Sequence, residues 1–109
     1  MPVITFVTPI LPGMQEEWRR FHQELSGSRR PQFGQSRREL GVTREYVWLA
    51  RLTRGDMALF YYEVKDQQPL LQSLVKPRSA FDCWFSHQLQ VFHGVEANLQ
   101  PGELILEWP

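Results

Sequence analysis

The sequence predicts an α+β fold of the ferredoxin-like type, β-α-β-β-α-β with extra short helices, in a single domain over residues 1–109. Two observations carry this prediction. Strand patterns occur four times with amphipathic helical patterns between them, which is the order of a four-stranded antiparallel sheet with helices on one face. The two central strand patterns are also apolar on both faces. The length of 109 residues suits one domain with a modest core.

The first third of the chain predicts a strand and two helices. Residues 3–10 are rich in β-branched and aromatic side chains and end in a proline-rich stretch, which indicates a strand. In residues 12–27, apolar side chains recur at helical spacing, at Met14, Trp18, Phe21 and Leu25. Residues 31–41 have the marks of a short second helix, with a proline at the start and a glycine at the end.

The middle of the chain predicts a β-hairpin. Residues 42–52 and 56–64 are strands, and Gly55 supplies the backbone freedom that the tight turn needs. In the first strand, one face carries Tyr46, Trp48, Ala50 and Leu52, and the other carries Val47 and Leu49 beside Glu45 and Arg51. In the second strand, Met57, Leu59 and Tyr61 lie opposite to Ala58, Phe60, Tyr62 and Val64, so both strands are apolar on both faces. An antiparallel sheet with one face in water would alternate between apolar and polar side chains.

Helices can cover only one face of this sheet, so the second apolar face predicts an interface. We expect a homodimer in which two sheets pack face to face, which is a dimeric α/β barrel.

The last third predicts two helices and a final strand. A short helix follows the hairpin and ends before Pro77. Residues 79–92 form a longer helix whose apolar stripe is Phe81, Trp84, Phe85, Leu89 and Phe92. A loop over residues 98–102 leads to a strand at 103–108. The rings of the stripe are expected to dock the helix on the sheet.

Composition narrows the class of protein. Cys83 is the only cysteine, so no internal disulfide can form, and no signal peptide or apolar run of about 20 residues is present. These features predict a soluble, cytoplasmic protein. The net charge is zero, although nine arginines face three glutamates between Arg19 and Arg54. That segment is either a solvated or interface surface or an anion-binding face, and the neutral total argues against nucleic acid.

Metal and cofactor motifs are absent from the sequence. Cys83 and His87 are spaced i, i+4 and so could meet one metal ion, but two ligands are too few for a site. No phosphate-binding loop or nucleophile motif occurs, so no cofactor is expected. His93 falls at the end of the last helix, where the helix dipole favours a cationic imidazole.

Four segments together resemble a family of small uncharacterised bacterial proteins: WRRFHQEL, SRRELGVTREYVWLA, GDMALFYYE and FDCWFSHQLQVFHGV. The resemblance covers roughly residues 3–108. That family is similar to the dimeric α/β-barrel group, which includes the antibiotic-biosynthesis monooxygenases. The resemblance implies a small, often aromatic, molecule held between sheet and helices. The residues it makes suspects for ligand binding are Arg37, Arg38, Trp48, Tyr61 and Trp84.

Two classes of function stay open. In the first, the dimer is a binding module for a small hydrophobic or anionic molecule. In the second, it is a cofactor-independent monooxygenase, isomerase or cyclase that acts on a small cyclic substrate. The candidates for the proton-abstracting base are then Glu63, His87 and His93, with Tyr61 or an arginine stabilising an oxyanion. Glu63 shares a sheet face with Leu59 and Tyr61, where it is either a general base or ligand anchor, or an edge residue that meets solvent or pairs with an arginine.

Overall fold

The computed structural model describes residues 2–94 and 99–109. It contains three strands and four helices: β1 (Val3–Pro9), α1 (Gln15–Ser26), α2 (Arg30–Glu39), β2 (Val42–Leu52), β3 (Gly55–Val64), α3 (Gln67–Val75) and α4 (Ala80–His93). Each lies within a few residues of the element predicted from the sequence. The predicted loop at 98–102 falls partly outside the described residues. The mixed α+β class is therefore confirmed.

The strands form an antiparallel sheet in the order β1-β3-β2, so β3 is central. Phe60 on β3 lies opposite Phe6 on β1 and Val47 on β2. This register places Tyr46, Trp48, Leu59 and Tyr61 on one face of the sheet and Val47, Leu49, Ala58 and Phe60 on the other. Gly55, with φ of 134°, makes the turn into β3 in a backbone conformation that side chains disfavour.

The helices cover one face of the sheet, which we call the helix face. Its central side chains are buried at Ile4, Phe6, Ala58, Phe60 and Tyr62. Phe21 on α1 packs against Phe85 and Phe92 on α4, with ring centroids 5.7 and 5.2 Å apart. The core thus lies between the sheet and the aromatic stripes of α1 and α4, as expected. Phe81 and Trp84 of the stripe are only partly buried.

The opposite face of the sheet, which we call the open face, has no helix over it in the described residues. It carries Val3 and Val7 from β1, Tyr46, Trp48 and Leu52 from β2, and Leu59 and Tyr61 from β3. Val3, Val7, Tyr46, Trp48 and Leu52 are exposed. The sequence left undecided which face meets the helices, and the burial of Ala58, Phe60 and Tyr62 identifies that face.

The fourth strand is a point of difference. Residues 103–108 have no strand partner in the structure, and the sheet of the described residues has three strands rather than four. Their apolar pattern predicts an extended segment, but an extended segment becomes a strand only when an edge pairs with it. Sequence alone does not supply that edge. None of the helices in the described ranges is long and apolar enough to cross a membrane.

Candidate functional site

The last turn of α4 holds His93 under the end of β1. Ser79 begins α4, because its Oγ accepts a hydrogen bond from the backbone N–H of Asp82 at 2.9 Å. At the other end of the helix, the backbone N–H of Leu11 donates to the carbonyl of Phe92 at 2.8 Å. The chain that follows β1 is thereby fixed to the end of α4, and His93 is buried at this junction.

One hydrogen bond determines the protonation of the His93 ring. Nδ1 lies 2.8 Å from the carbonyl oxygen of Pro9, which can only accept, so Nδ1 carries the proton. Burial lowers the pKa of His93, with the Pro9 hydrogen bond acting in the opposite direction, and the ring is neutral near pH 7. Nε2 therefore presents a lone pair. It is buried and has no hydrogen-bond partner.

Two more buried polar atoms without partners lie on α1, at His22 Nε2 and Trp18 Nε1. The two side chains are one turn apart, with ring centroids separated by 4.6 Å. Phe60 links them to α4, because its ring centroid lies 6.1 Å from His22 and 5.9 Å from His93. Burial, then the charges of His93 and Arg37, lower the pKa of His22 from 6.5 to about 4.

This group, Trp18, His22 and His93, offers both kinds of hydrogen bond from one buried region. Trp18 Nε1–H can only donate, and the neutral His93 Nε2 can only accept. A buried polar atom without a partner costs on the order of 1–3 kcal/mol. Trp18 Nε1–H is thus a buried donor without a partner, and His93 Nε2 is a buried acceptor that can take a proton.

A second polar group surrounds Arg37 on the helix face. Arg37 Nε donates to Glu45 Oε1 at 2.8 Å and Nη2 donates to Oε2 at 3.4 Å. Arg37 Nη1 also donates to Ser36 Oγ at 3.3 Å, and Ser36 Oγ donates to Asp82 Oδ1 at 2.5 Å. The guanidinium lies over the rings of Phe33 and Phe85.

The electrostatics of this group follow from burial and pairing. Burial is the largest influence on the pKa of Arg37 and lowers it, but Glu45, Tyr62 and Asp82 together outweigh burial, and the pKa is raised. Burial, then the nearby Glu45 charge, raise the pKa of Tyr62. The cavity beside Arg37, Tyr62 and Asp82 has a volume of about 10 Å³, which is space for about one water molecule. Arg37 therefore already has its carboxylate, and its surroundings leave no room for an organic anion.

Three aromatic rings cluster on the open face. The centroids of Tyr46 and Trp48 are 5.5 Å apart, and the centroids of Tyr46 and Tyr61 are 5.8 Å apart. Tyr61 Oη donates to Glu63 Oε2 at 3.2 Å, and Arg44 Nε lies 3.6 Å from the same oxygen. Desolvation, then the hydrogen bond to Glu63, raise the pKa of Tyr61.

The sheet separates the candidates that the sequence singled out. Trp48, Tyr61 and Glu63 lie on the open face, whereas Arg37 and His93 lie on the helix face. Within one chain Glu63 and His93 consequently face different regions. Three further candidates lie on the outer side of the helix layer. His87 and Arg38 are exposed there, and Trp84 is half-buried with the guanidinium of Arg29 3.9 Å from its ring centroid.

Two observations change the sequence-based view of the helix face. The buried, neutral His93 donates to Pro9, so it is not the cationic partner of the helix dipole that its position predicted. His22 and the indole N–H of Trp18 were not predicted, because Trp18 fitted the apolar stripe and His22 lies beside it. The available signal was their i, i+4 spacing, which puts both polar atoms over the same part of the sheet.

The described residues contain no group of three or more His, Cys, Asp or Glu side chains placed to hold a metal ion. Comparison with known proteins adds no relative: no protein-family model matches the chain, and no match is found among curated proteins. A functional assignment therefore has to come from the chain's own residues.

Proposed function

We propose that this chain forms a dimeric α/β barrel of the ferredoxin-like type and binds a small, neutral, oxygen-bearing hydrophobic molecule between its sheet and helices. The observation that carries the proposal is the set of buried polar atoms without partners on Trp18, His22 and His93. Buried polar groups in folded proteins are nearly always hydrogen-bonded, and each exception calls for an explanation such as a catalytic role or a bound molecule.

The charges of the helix face favour a neutral ligand over an anionic one. Arg37 is paired with Glu45, and Arg38 lies outside the core. Both buried histidines have lowered pKa values, so neither supplies a positive charge near pH 7. A hydroxyl that donates to His93 and a carbonyl that accepts from Trp18 describe a hydroxyaryl ketone or a related enol.

The open face supports the dimer. Val3, Val7, Tyr46, Trp48 and Leu52 are large apolar side chains exposed on one surface, and such contiguous surfaces mark interaction sites. A second sheet is the natural cover for a sheet face, because two inner faces can interdigitate about 10 Å apart. In this proposal, the fourth strand of the ferredoxin-like arrangement forms when two copies assemble.

A cofactor-independent monooxygenase, isomerase or cyclase is the second candidate. It is favoured by the geometry of His93, where the bond to Pro9 fixes the ring and leaves Nε2 as an oriented base. In this mechanism His93 Nε2 takes the hydroxyl or α-carbon proton of a cyclic substrate. Trp18 Nε1–H then stabilises the oxyanion that forms.

The ligand proposal is tested by histidine-selective ¹⁵N NMR during titration with 4′-hydroxyacetophenone, a hydroxyaryl ketone whose hydroxyl and carbonyl are both free to bond. Benzoate is the matched anion. We expect the ketone to shift the Nε2 resonance of His93 and benzoate to leave it unchanged. His93→Phe should abolish binding, whereas His87→Phe, at an exposed position of the same helix, should retain it. Equal affinity of the His93→Phe variant would exclude the proposed site.

A further inference from the structure

The C-terminal segment, residues 103–108, presents large apolar side chains to solvent. Leu104, Ile105, Leu106 and Trp108 are between 74% and 88% exposed. Leu104, Leu106 and Trp108 alternate along the chain, which is the pattern of a strand with one apolar face. We call this segment the C-terminal arm. An exposed apolar segment with its backbone unpaired is an aggregation hazard unless another edge receives it.

The root of the arm is fixed to β1. The backbone N–H of Gly102 donates to the carbonyl of Thr5 at 2.7 Å. A Cβ at position 102 would lie 2.5 Å from Thr5 Oγ1, so the close approach requires glycine here. The arm therefore leaves the protein at the β1 edge of the sheet.

The opposite edge of the sheet is β2. It is 11 residues long, and no strand pairs with its outer side in the part of the chain that the structure describes. Arg51 and Arg54 are exposed at one end of this edge, and Arg44 is exposed near the other. The arm contributes two acidic side chains, Glu103 and Glu107. The charges of the arm and the β2 edge are thus complementary.

We propose that the C-terminal arm of one copy adds as a strand to the β2 edge of a second copy. This inference deepens the proposed dimer and rests on it. A two-fold exchange gives both arms a strand partner and covers the β2 edge of both copies. The charges favour β2 over the outer side of β1, because β1 carries no charged side chain to pair with Glu103 and Glu107.

The arm is too short to reach β2 of its own chain and still pair along it. Gly102 bonds the outer side of β1, so the outer side of β2 is four strand spacings away, or about 19 Å at 4.7–4.9 Å each. Extended chain covers about 3.3–3.6 Å per residue, so this crossing uses between about five and six of the six residues. At most about one residue would remain for pairing, whereas a second copy can bring its edge to the whole arm.

The register identifies Arg51 as a position where a proline would block the addition of a strand to the β2 edge. The Thr5 carbonyl bonds Gly102 and so points away from β3, which means that Thr5 and Tyr61 form a non-hydrogen-bonded pair. The backbone N–H and C=O of Tyr61 therefore point toward β2. Tyr46 lies opposite Tyr61, and its backbone groups face β3. Counting along β2, Arg51 has the alternate orientation, with its N–H pointing outward. Proline is tolerated there within one chain but removes the donor that an added strand needs.

The experiment compares four proteins by sedimentation: the full chain, a chain ending at Gly102, Arg51→Pro, and the matched control Arg51→Ala. We expect the full chain and Arg51→Ala to be dimers. The truncation and Arg51→Pro should each weaken dimerisation by about a hundredfold, because both arms or both edges are lost. Circular dichroism checks that each variant keeps its fold.

Mixing distinguishes exchange from a general loss of apolar surface. An equimolar mixture of the truncated chain and Arg51→Pro restores one arm and one competent edge, so native mass spectrometry should show the mixed dimer in excess over both homodimers. A truncated chain that dimerises like the full chain overturns the exchange and leaves the sheet-face dimer standing. A full chain that is monomeric at micromolar concentration overturns both. The ketone titration reports ligand binding separately.

Discussion

The carbonyl oxygen of Pro9 and Nδ1 of His93 lie 2.8 Å apart and join the end of β1 to the last turn of α4. This one contact has a structural and a chemical consequence. It satisfies a carbonyl at the end of the sheet, and it fixes the tautomer that leaves His93 Nε2 as an acceptor.

Substitutions at His93 should separate these two consequences. His93→Phe keeps the ring volume but leaves the Pro9 carbonyl without its donor, so we expect a loss of about 1–3 kcal/mol in the free energy of unfolding. His93→Asn retains a donor at the position of Nδ1 but loses ring packing. Urea unfolding measures stability, and ketone binding should fail in both variants because both lack Nε2. Binding by the asparagine variant would contradict the role given to Nε2.

Stability should fall as the pH is lowered through the titration range of the buried histidines. The pKa of His22 is about 4 in the folded chain and 6.5 unfolded, so the unfolded state binds protons first. The contribution of neutral His22 to the free energy of unfolding is complete above pH 6.5 and is lost between pH 6.5 and 4. The loss is up to about 3 kcal/mol, at 1.36 kcal/mol per unit of pKa shift. The lowered pKa of His93 acts in the same direction.

Urea midpoints measured across this pH range test the effect. His22→Gln should flatten the dependence, whereas His87→Gln should leave it unchanged because His87 is exposed. An unchanged slope in His22→Gln would assign the acid sensitivity to other groups.

The sequence was sufficient for the seven elements that have a local signal. The helical spacing of Trp18, Phe21 and Leu25 predicted a buried stripe, and all three residues are buried on α1. The alternation along β3 predicted two faces, and Ala58, Phe60 and Tyr62 are the buried ones. These patterns succeed because a helix or hairpin repeats its environment at a fixed period.

The candidate site was less accessible to sequence, because it depends on contacts between distant segments. Nothing near His93 in the sequence indicates Pro9, which is 84 residues away. Glu45 and Arg37 are eight residues apart on different elements, and only the turn between α2 and β2 brings them together. The fate of residues 103–108 was undetermined for the same reason, since a strand needs a partner that its own pattern does not name.

Removing one partner of the Arg37–Glu45 pair should lower the free energy of unfolding strongly, whereas replacing both partners with apolar side chains should lower it little. Both side chains are about nine-tenths buried, at 9% and 10% exposed. Arg37→Met leaves a buried carboxylate without its cation, so we expect a loss of about 3–5 kcal/mol in the free energy of unfolding. The double variant Arg37→Met/Glu45→Leu should recover most of it. Arg38→Met, at the exposed neighbouring position, should stay within about 0.5 kcal/mol.

A double-mutant cycle in urea provides the measurement. If the single and double variants lose equal stability, the pair contributes through packing of Arg37 on the rings of Phe33 and Phe85 rather than through its charges.

A charge on the open face should dissociate the proposed dimer without unfolding the chain. Trp48 is 50% exposed in the single chain and lies midway along β2 on the open face, so Trp48→Glu places an unpaired carboxylate in the proposed interface between the two sheets. We expect sedimentation to show a monomer that retains the circular dichroism spectrum of the parent. Val75→Glu is the matched control, because Val75 is 80% exposed at the end of α3, away from this face. If Trp48→Glu stays dimeric at the parent's affinity, the two copies meet through another surface, and the open face requires a different partner.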